Sequence, residues 1–232
     1  MCGIAGYIGS QRIDDARIAA TLERMRARGP DHQCHTRIDA DGTQALLLHS
    51  RLSIIDLDPR ANQPMTRDGC TLVFNGEIYN YRELRRDLEA RGFAFQTDSD
   101  SEVLLASYLA HGAECVRWFE GMWALAIYDA RTRSLLLSRD RFGEKPLYLL
   151  DTPDGLYFGS EIKLLTALSG RRLTVNGRHI ARFLVNGYKS LYKTDGEFFE
   201  GVRRLSAATN LRIDSAGRRC EQRYWRPPDA SF

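Results

Sequence analysis

The chain has 232 residues, 43% hydrophobic and 27% charged, with a formal net charge of +3, enough for one substantial core or two small domains. A mean hydropathy of −0.39 with no long apolar run excludes a transmembrane helix. Met1-Cys2-Gly3-Ile4-Ala5 lacks the basic lead-in and apolar stretch of a secretory signal, so the expected compartment is the cytoplasm. The paired arginines at 85–86, 203–204 and 218–219 are interleaved with acidic residues, and no sustained basic stripe marks a nucleic-acid partner.

In chain order, Ile4 to Ile8 reads as a short buried strand with a glycine inside it. Ile18, Leu22 and Met25 recur at helical spacing between Asp14 and Arg28, and Gly29-Pro30 ends that run. Leu46 to Leu48 and Leu52 to Leu57 read as strands, the second stopped by Asp58-Pro59. Thr71 to Phe74 is a further strand, and Asn75-Gly76 after it is a strong turn signal. Tyr81 to Arg91 is amphipathic, with Leu84 and Leu88 on one face and Gly92 as its stop. Ser99 with Glu102 has the spacing of a capping box for a helix through Ala110, which puts Asp100 in the first turn. Two hairpins follow: Trp123–Tyr128 with Ser134–Ser138, and Pro146–Leu150 with Leu156–Gly159. Helices are expected to start near Ser160 and after Asn176. The last fifty residues read as irregular, with short strands near Asn210–Ile213 and Cys220–Tyr224. Hairpins outnumber strand-helix-strand crossovers, which predicts an α+β protein with two largely antiparallel sheets covered by helices.

The five cysteines show no C-x-x-C spacing, so neither a disulfide framework nor a zinc site is suggested. Cys34 between His32 and His35 imitates a metal cluster, but no second cluster completes four ligands, and no metal is expected. Cys2 stands apart by its position. Removal of the initiator methionine would put a thiol and a free α-amine on one residue. Ordinary values of about 8.5 and about 7.7–8.0 let that amine take the thiol proton near neutral pH. A second-position cysteine is weak evidence by itself; other residues supply the context.

Those residues are Cys2-Gly3-Ile4-Ala5-Gly6, Arg28-Gly29-Pro30-Asp31, His49-Ser50-Arg51-Leu52-Ser53-Ile54-Ile55-Asp56, Gln63-Pro64-Met65, Asn75-Gly76-Glu77-Ile78-Tyr79-Asn80, Ser99-Asp100-Ser101-Glu102-Val103 and Arg139-Asp140-Arg141-Phe142-Gly143-Glu144-Lys145-Pro146-Leu147-Tyr148. In order and spacing they resemble the class II (N-terminal nucleophile) glutamine amidotransferases, and within them the N-terminal domain of glutamine-hydrolysing asparagine synthases. The resemblance is firm over residues 2 to about 165 and thins toward Tyr224-Trp225.

It implies a four-layer αββα sandwich over residues 1–225, with 226–232 as a tail or linker. It also implies hydrolysis of L-glutamine to glutamate and ammonia through a Cys2 γ-glutamyl thioester. By the same resemblance Asn75 and Gly76 form the oxyanion hole, and Arg51 receives the α-carboxylate, a task that suits a planar two-pronged donor. Asp100 with Glu77 receives the α-ammonium, and backbone groups of Leu52, Ser53, Ile54 and Ile55 complete the pocket. Plainer readings stand beside these: a hairpin turn at Asn75-Gly76, a surface ion pair at Arg51, and a favourable helix-start charge at Asp100. Arg139, Asp140 and Arg141, with Lys145 and Glu161, read as a structural ion-pair network beneath the site.

The hydrolysis needs no cofactor. ATP and Mg are expected only in a synthetase domain, whose Ser-Gly-Gly-x-Asp loop this sequence lacks. The expected partner is a synthetase domain or subunit that receives ammonia, so the chain reads as an excised domain or a stand-alone subunit; a homodimer is the assembly considered. Two alternatives remain open: delivery of ammonia to a sugar or polysaccharide precursor, for which the Tyr188–Tyr192 region and the altered turn at Ser206-Ala207-Ala208 leave room, and a non-catalytic glutamine-binding module. The chain departs from the family pattern at His32-Gln33-Cys34, at Leu149, and at Ser206-Ala207-Ala208, which stands where the family has Pro-Pro-Gly.

Overall fold

The computed structural model describes residues 1–188, 191 and 196–228. Tyr192, part of the region tied to a sugar acceptor, and residues 229–232 of the expected tail lie outside the described residues; Tyr188 is exposed. The described strands make two six-stranded sheets in which every pairing is antiparallel.

The first sheet contains β1 (Gly3–Gly9), β2 (His32–Ala40), β3 (Thr43–Arg51), β8 (Tyr148–Thr152), β9 (Gly155–Gly159) and β10 (Val202–Arg204), in the order β10-β8-β9-β1-β3-β2. The second contains β4 (Met65–Arg67), β5 (Cys70–Ile78), β6 (Gly121–Asp129), β7 (Ser134–Arg139), β11 (Thr209–Ile213) and β12 (Arg219–Arg223), in the order β12-β11-β7-β6-β5-β4.

Side chains alternate across each strand, so each sheet has two apolar faces to bury. Ile4, Ile8, Leu47 and Phe158 of the first sheet meet Val73, Ala126, Leu137 and Leu211 of the second in a central cluster. On the outer face of the first sheet, Ala5, Tyr7, Leu46 and Leu48 are covered by α1 (Asp15–Met25) and α4 (Ile162–Ser169) through Ile18, Met25, Leu164 and Leu168. On the outer face of the second, Leu72, Phe74, Leu125 and Ile127 pack on α3 (Asp100–His111) through Leu104 and Leu105. α2 (Tyr81–Ala90) buries Leu88 against Val103 and Ala106 of α3. α5 (Gly177–Asn186) starts at Asn176, whose side chain caps the His179 N–H. The result is the expected αββα sandwich. Gly6 is needed within β1 because a Cβ there would lie 2.4 Å from the Leu46 carbonyl oxygen.

Four expectations need correction. Leu52 to Leu57 is not a strand: β3 ends at Arg51, whose guanidinium gathers the carbonyls of the next residues, and Ile54 and Leu57 are exposed. Asn75-Gly76 is not a turn, because β5 runs on through Ile78 with Asn75 opposite Ala124 and Gly76 opposite Trp123. Ser99 caps α3 by accepting from the Ser101 N–H, yet Glu102 does not complete a capping box. Its carboxylate accepts instead from the N–H groups of Gln96 and Thr97 and the Thr97 hydroxyl. The last fifty residues hold a further strand, β10, and β2 and β4 were also not foreseen.

The ion-pair network expected around Arg139 is a set of backbone caps. Arg139 donates to the carbonyls of Gly143, Lys145 and Leu205, and Asp140 accepts from the N–H groups of Trp123, Phe142, Glu144 and Lys145. Glu161 pairs elsewhere, with Arg28 and Lys163. The departure at Ser206-Ala207-Ala208 keeps a glycine-like backbone: Ala208 has a φ of 55° and donates to the Asp140 carbonyl.

Leu47 is fully buried between the sheets. Leu47→Ala is expected to lower unfolding free energy by about 3 kcal/mol, since a cavity there has sheets on both sides and little room to collapse. Urea denaturation of the two proteins measures the difference.

Candidate active site

The site forms where one end of the two sheets meets the start of α3. The β1–β3 register sets Gly3 opposite Ser50, so Cys2, one residue before β1, comes beside the residues that follow Arg51. The Cys2 Sγ lies 3.4 Å from the Leu52 N–H, which donates to it, and 3.6 Å from the Leu52 carbonyl oxygen. The Cys2 carbonyl is fixed by Arg28 Nε at 2.9 Å, and Arg28 is itself held by Glu161 at 3.0 Å. Burial pushes the Cys2 thiol above its ordinary value. The Leu52 N–H, the terminal amine and the Arg51 guanidinium pull it back down, and Asp100 adds a small upward push.

A cavity of about 120 Å³ opens beside the thiol. Of the residues singled out in the sequence, Cys2, Arg51, Leu52, Ile54, Ile55, Asn75, Gly76, Glu77 and Asp100 line it. Ser53 does not; its N–H donates to Asp31 at 2.7 Å on the flank of the loop. Asn75 is 1% exposed, and its side-chain nitrogen has no hydrogen-bond partner among the described residues. A buried amide donor without a partner is costly, and here it borders the same cavity as the thiol. Gly76 gives that wall a close backbone approach, since a Cβ there would fall 2.1 Å from the Met122 carbonyl oxygen.

Arg51 is 6% exposed, and its two terminal nitrogens already have partners. Nη1 donates to the Asp58 carbonyl at 3.1 Å and to Asn62 Oδ1 at 2.7 Å; Nη2 donates to the Asp56 carbonyl and, at 3.5 Å, to that of Ile55. The guanidinium therefore shapes the loop and charges the cavity wall together. Asp100 is the opposite pole. Its Oδ2 accepts from the Ile78 N–H at 3.0 Å. Burial raises its carboxyl to about 6, with Glu77 adding to the rise and the N–H groups of Ile78 and Ser101 opposing it.

Three residues on or behind the wall had no role in the glutamine pocket assigned from the sequence, Lys145 having been read as part of the ion-pair network. Gln63 ties β5 to α3, accepting from the Phe74 N–H at 2.6 Å and donating to Ser101 Oγ at 3.0 Å. His49 is fully buried with Nε2 3.1 Å from the Phe74 carbonyl oxygen; burial brings its pKa down to about 3, so the ring is neutral and Nε2–H is the donor. Lys145 borders the cavity with Nζ 3.3 Å from Met1 Sδ. Gln63, His49 and Lys145 all fall within the sequence blocks that carry the resemblance, which was the available signal. Among the described residues no group of three or more His, Cys, Asp or Glu side chains is placed to hold a metal.

A nucleophile, a buried amide donor and two opposite charges on one small cavity are what hydrolysis of an amino-acid side-chain amide requires. Residues 1–225 match the family model described as "Glutamine amidotransferase domain", and the chain belongs to that family. Among curated proteins it is similar to asparagine synthetase [glutamine-hydrolyzing] 3 of Bacillus subtilis, 32% identical across 97% of this chain and 36% of that protein. It is also similar to asparagine synthetase B [glutamine-hydrolyzing] of Escherichia coli, 38% identical across 85% of this chain and 34% of that protein. The chain thus spans about a third of the length of these relatives. Among solved structures, the glutamine phosphoribosylpyrophosphate amidotransferase of B. subtilis superposes with a TM-score of 0.68 at 17% identity, over 97% of this chain and 49% of that one. At that identity the likeness establishes the shared fold.

The raised Asp100 pKa has a consequence for stability. Between the ordinary value of 3.8 and about 6 the folded chain holds more protons at this carboxyl than the unfolded chain does, so stability falls as pH rises through that window. Above about 6 the whole cost is present. Asp100→Asn is therefore expected to be more stable than the parent by roughly 1–3 kcal/mol at pH 7.5. The gain should shrink toward zero near pH 4, read by thermal unfolding at both values.

Proposed function

We propose that this domain hydrolyses L-glutamine to glutamate and ammonia through a γ-glutamyl thioester on Cys2, as the glutaminase half of an asparagine synthase-type amidotransferase. The observation that carries the reading is the buried, unpartnered Asn75 amide on the same cavity wall as the Cys2 sulfur.

Catalysis begins once Met1 has been removed and Cys2 carries the terminal amine. That amine takes the thiol proton, and the thiolate attacks the side-chain carbonyl carbon of glutamine. The carbonyl electrons move onto oxygen, where the Asn75 side-chain amide and the Gly76 N–H hold the oxyanion. The intermediate collapses with C–N cleavage, and the terminal ammonium gives its proton to the leaving ammonia. Water, deprotonated by the same amine, then cleaves the thioester; the thiol regains a proton and glutamate leaves.

The opposite charges on the cavity wall orient the substrate. Asp100, helped by Glu77, receives the α-ammonium. The α-carboxylate meets the Arg51 guanidinium and the backbone of the Leu52–Ile55 loop. The 3.5 Å contact from Arg51 to the Ile55 carbonyl is its longest, and a carboxylate oxygen would displace it first. Every group in this half-reaction comes from the chain, the substrate or water. ATP and Mg belong to the synthetase half, which the asparagine synthetase relatives suggest as the receiver of ammonia.

Two substitutions test the reading. Cys2→Ala is expected to abolish glutamate release and labelling by a diazoketone analogue of glutamine, followed by intact mass. Asn75→Ala is expected to lower turnover by roughly 10²–10³ while changing half-saturating glutamine little, since its amide acts on the oxyanion. Equal turnover in Asn75→Ala and parent would remove the oxyanion role. Labelling that persists in Cys2→Ala would remove the nucleophile.

A further inference from the structure

Asp56 is hydrogen-bonded both to Arg51 and to the segment that leads into Asp100, and the chemistry above does not use it. Its backbone is left-handed, with a φ of 56°, a conformation that Asp and Asn enter more readily than most side chains. Its own carbonyl accepts from Arg51 Nη2. Its carboxylate accepts from two main-chain N–H groups: Asp58 through Oδ1 at 2.9 Å, and Asp98 through Oδ2 at 2.8 Å. The first bond closes the loop around the Arg51 guanidinium. The second crosses to the segment that leads into α3, two residues before Asp100. That segment is pinned from its other side by Glu102, through the N–H groups of Gln96 and Thr97, and by Arg85, through the Thr97 carbonyl.

We propose that Asp56 is a positioning residue for the amino-acid end of the substrate: its carboxylate fastens the Arg51 loop to the Asp98–Asp100 segment and so fixes the distance between the cation and the anion that grip an α-carboxylate and an α-ammonium. The inference rests on the reading of this cavity as a glutamine site. Arg51 ends a strand of one sheet, while Asp100 opens a helix lying on the other. The His49 bond to the Phe74 carbonyl joins their strands deep in the sandwich, but the pairing within each sheet does not itself set the spacing between the Arg51 loop and the segment leading to Asp100. An α-amino acid has rigid spacing between its own charges, so a grip that drifts by an ångström loses one of its two ends. Asp56 touches neither the sulfur nor the oxyanion donors. Its loss is felt in binding and not in the chemical step.

The test uses the full chain with Met1 removed. Asp56→Gly tolerates the left-handed backbone but has neither acceptor; Asp56→Asn tolerates it and keeps one. Glutamate release is followed against glutamine concentration, with L-glutamate, which carries the same α-groups, as competitive inhibitor. In Asp56→Gly half-saturating glutamine is expected to rise about 10-fold, with maximal rate within about 3-fold of the parent. The glutamate inhibition constant should rise in parallel. Asp56→Asn is expected near a 3-fold rise, and this graded result stands even if the glycine variant fails to fold, which circular dichroism reports. Half-saturation within about 2-fold of the parent in every folded variant overturns the proposal. A fall in maximal rate at unchanged half-saturation overturns it as well. A parent chain that neither releases glutamate nor reacts with a diazoketone analogue defeats the glutamine reading itself; an active parent with an indifferent Asp56 defeats only this inference.

Discussion

The site depends on the antiparallel pairing of β1 with β3, which sets Gly3 against Ser50. That register brings the sulfur of Cys2 to the main chain of Leu52 and directs Ile4 into the space between the sheets. Strand side chains alternate, so a slip of one residue would turn Cys2 toward the covering helices and expose Ile4 and Ile8 to the wrong face. Burial of Ile4, Ile8 and Leu47 therefore holds Cys2 in register. The same apolar core that stabilises the fold aims the sulfur.

The polar groups of the site are set by elements that converge from different layers. Asn75 and Gly76 lie within β5, held by pairing with β6 on one side and by the Gln63 side chain at Phe74 on the other. His49 crosses from the first sheet to the Phe74 carbonyl of the second, a single neutral hydrogen bond joining the strand that ends in Arg51 to the strand that carries Asn75. Asp100 hangs from the Ile78 N–H. Each of these elements is held at main-chain atoms of β5, so the backbone that carries Asn75 and Gly76 is set by the sheet framework. Preorganisation of this kind is what allows a hydrogen bond to stabilise charge that appears only in transit.

Burial works against charge at this site. It raises the Cys2 thiol and the Asp100 carboxyl, which disfavours the charged form of each. Hydrogen-bond donors offset part of that penalty at both groups, and at Asp100 the remainder is borne by the fold as stability lost once the pH passes above its raised value. Arg51 shows the same economy of parts: one buried guanidinium closes a loop through its carbonyls and leaves positive charge on the cavity wall.

Apolar alternation, helical spacings and turn residues are legible along the chain. From these the central strands, the α1 and α2 helices, both long hairpins and the two-sheet, helix-covered class follow, because these features are local and repeat at fixed periods. The blocks shared with the amidotransferase family singled out Cys2, Arg51, Asn75, Gly76 and Asp100, which the structure brings to one cavity. The strands missed are β2, β4 and β10, all at sheet edges, where one side is open to solvent and the two-residue hydrophobic rhythm is weak or too short to register. Asn75-Gly76 reads locally as a turn. Only the partner strand β6, pairing straight past it, keeps it extended and points the amide into a cavity. Leu52 to Leu57 reads as a strand, yet Arg51 collects its carbonyls and Asp56 ties it to the start of α3. Those bonds link residues from separate layers of the sandwich, and such distances are settled when the layers pack together, since no local pattern in the chain encodes them.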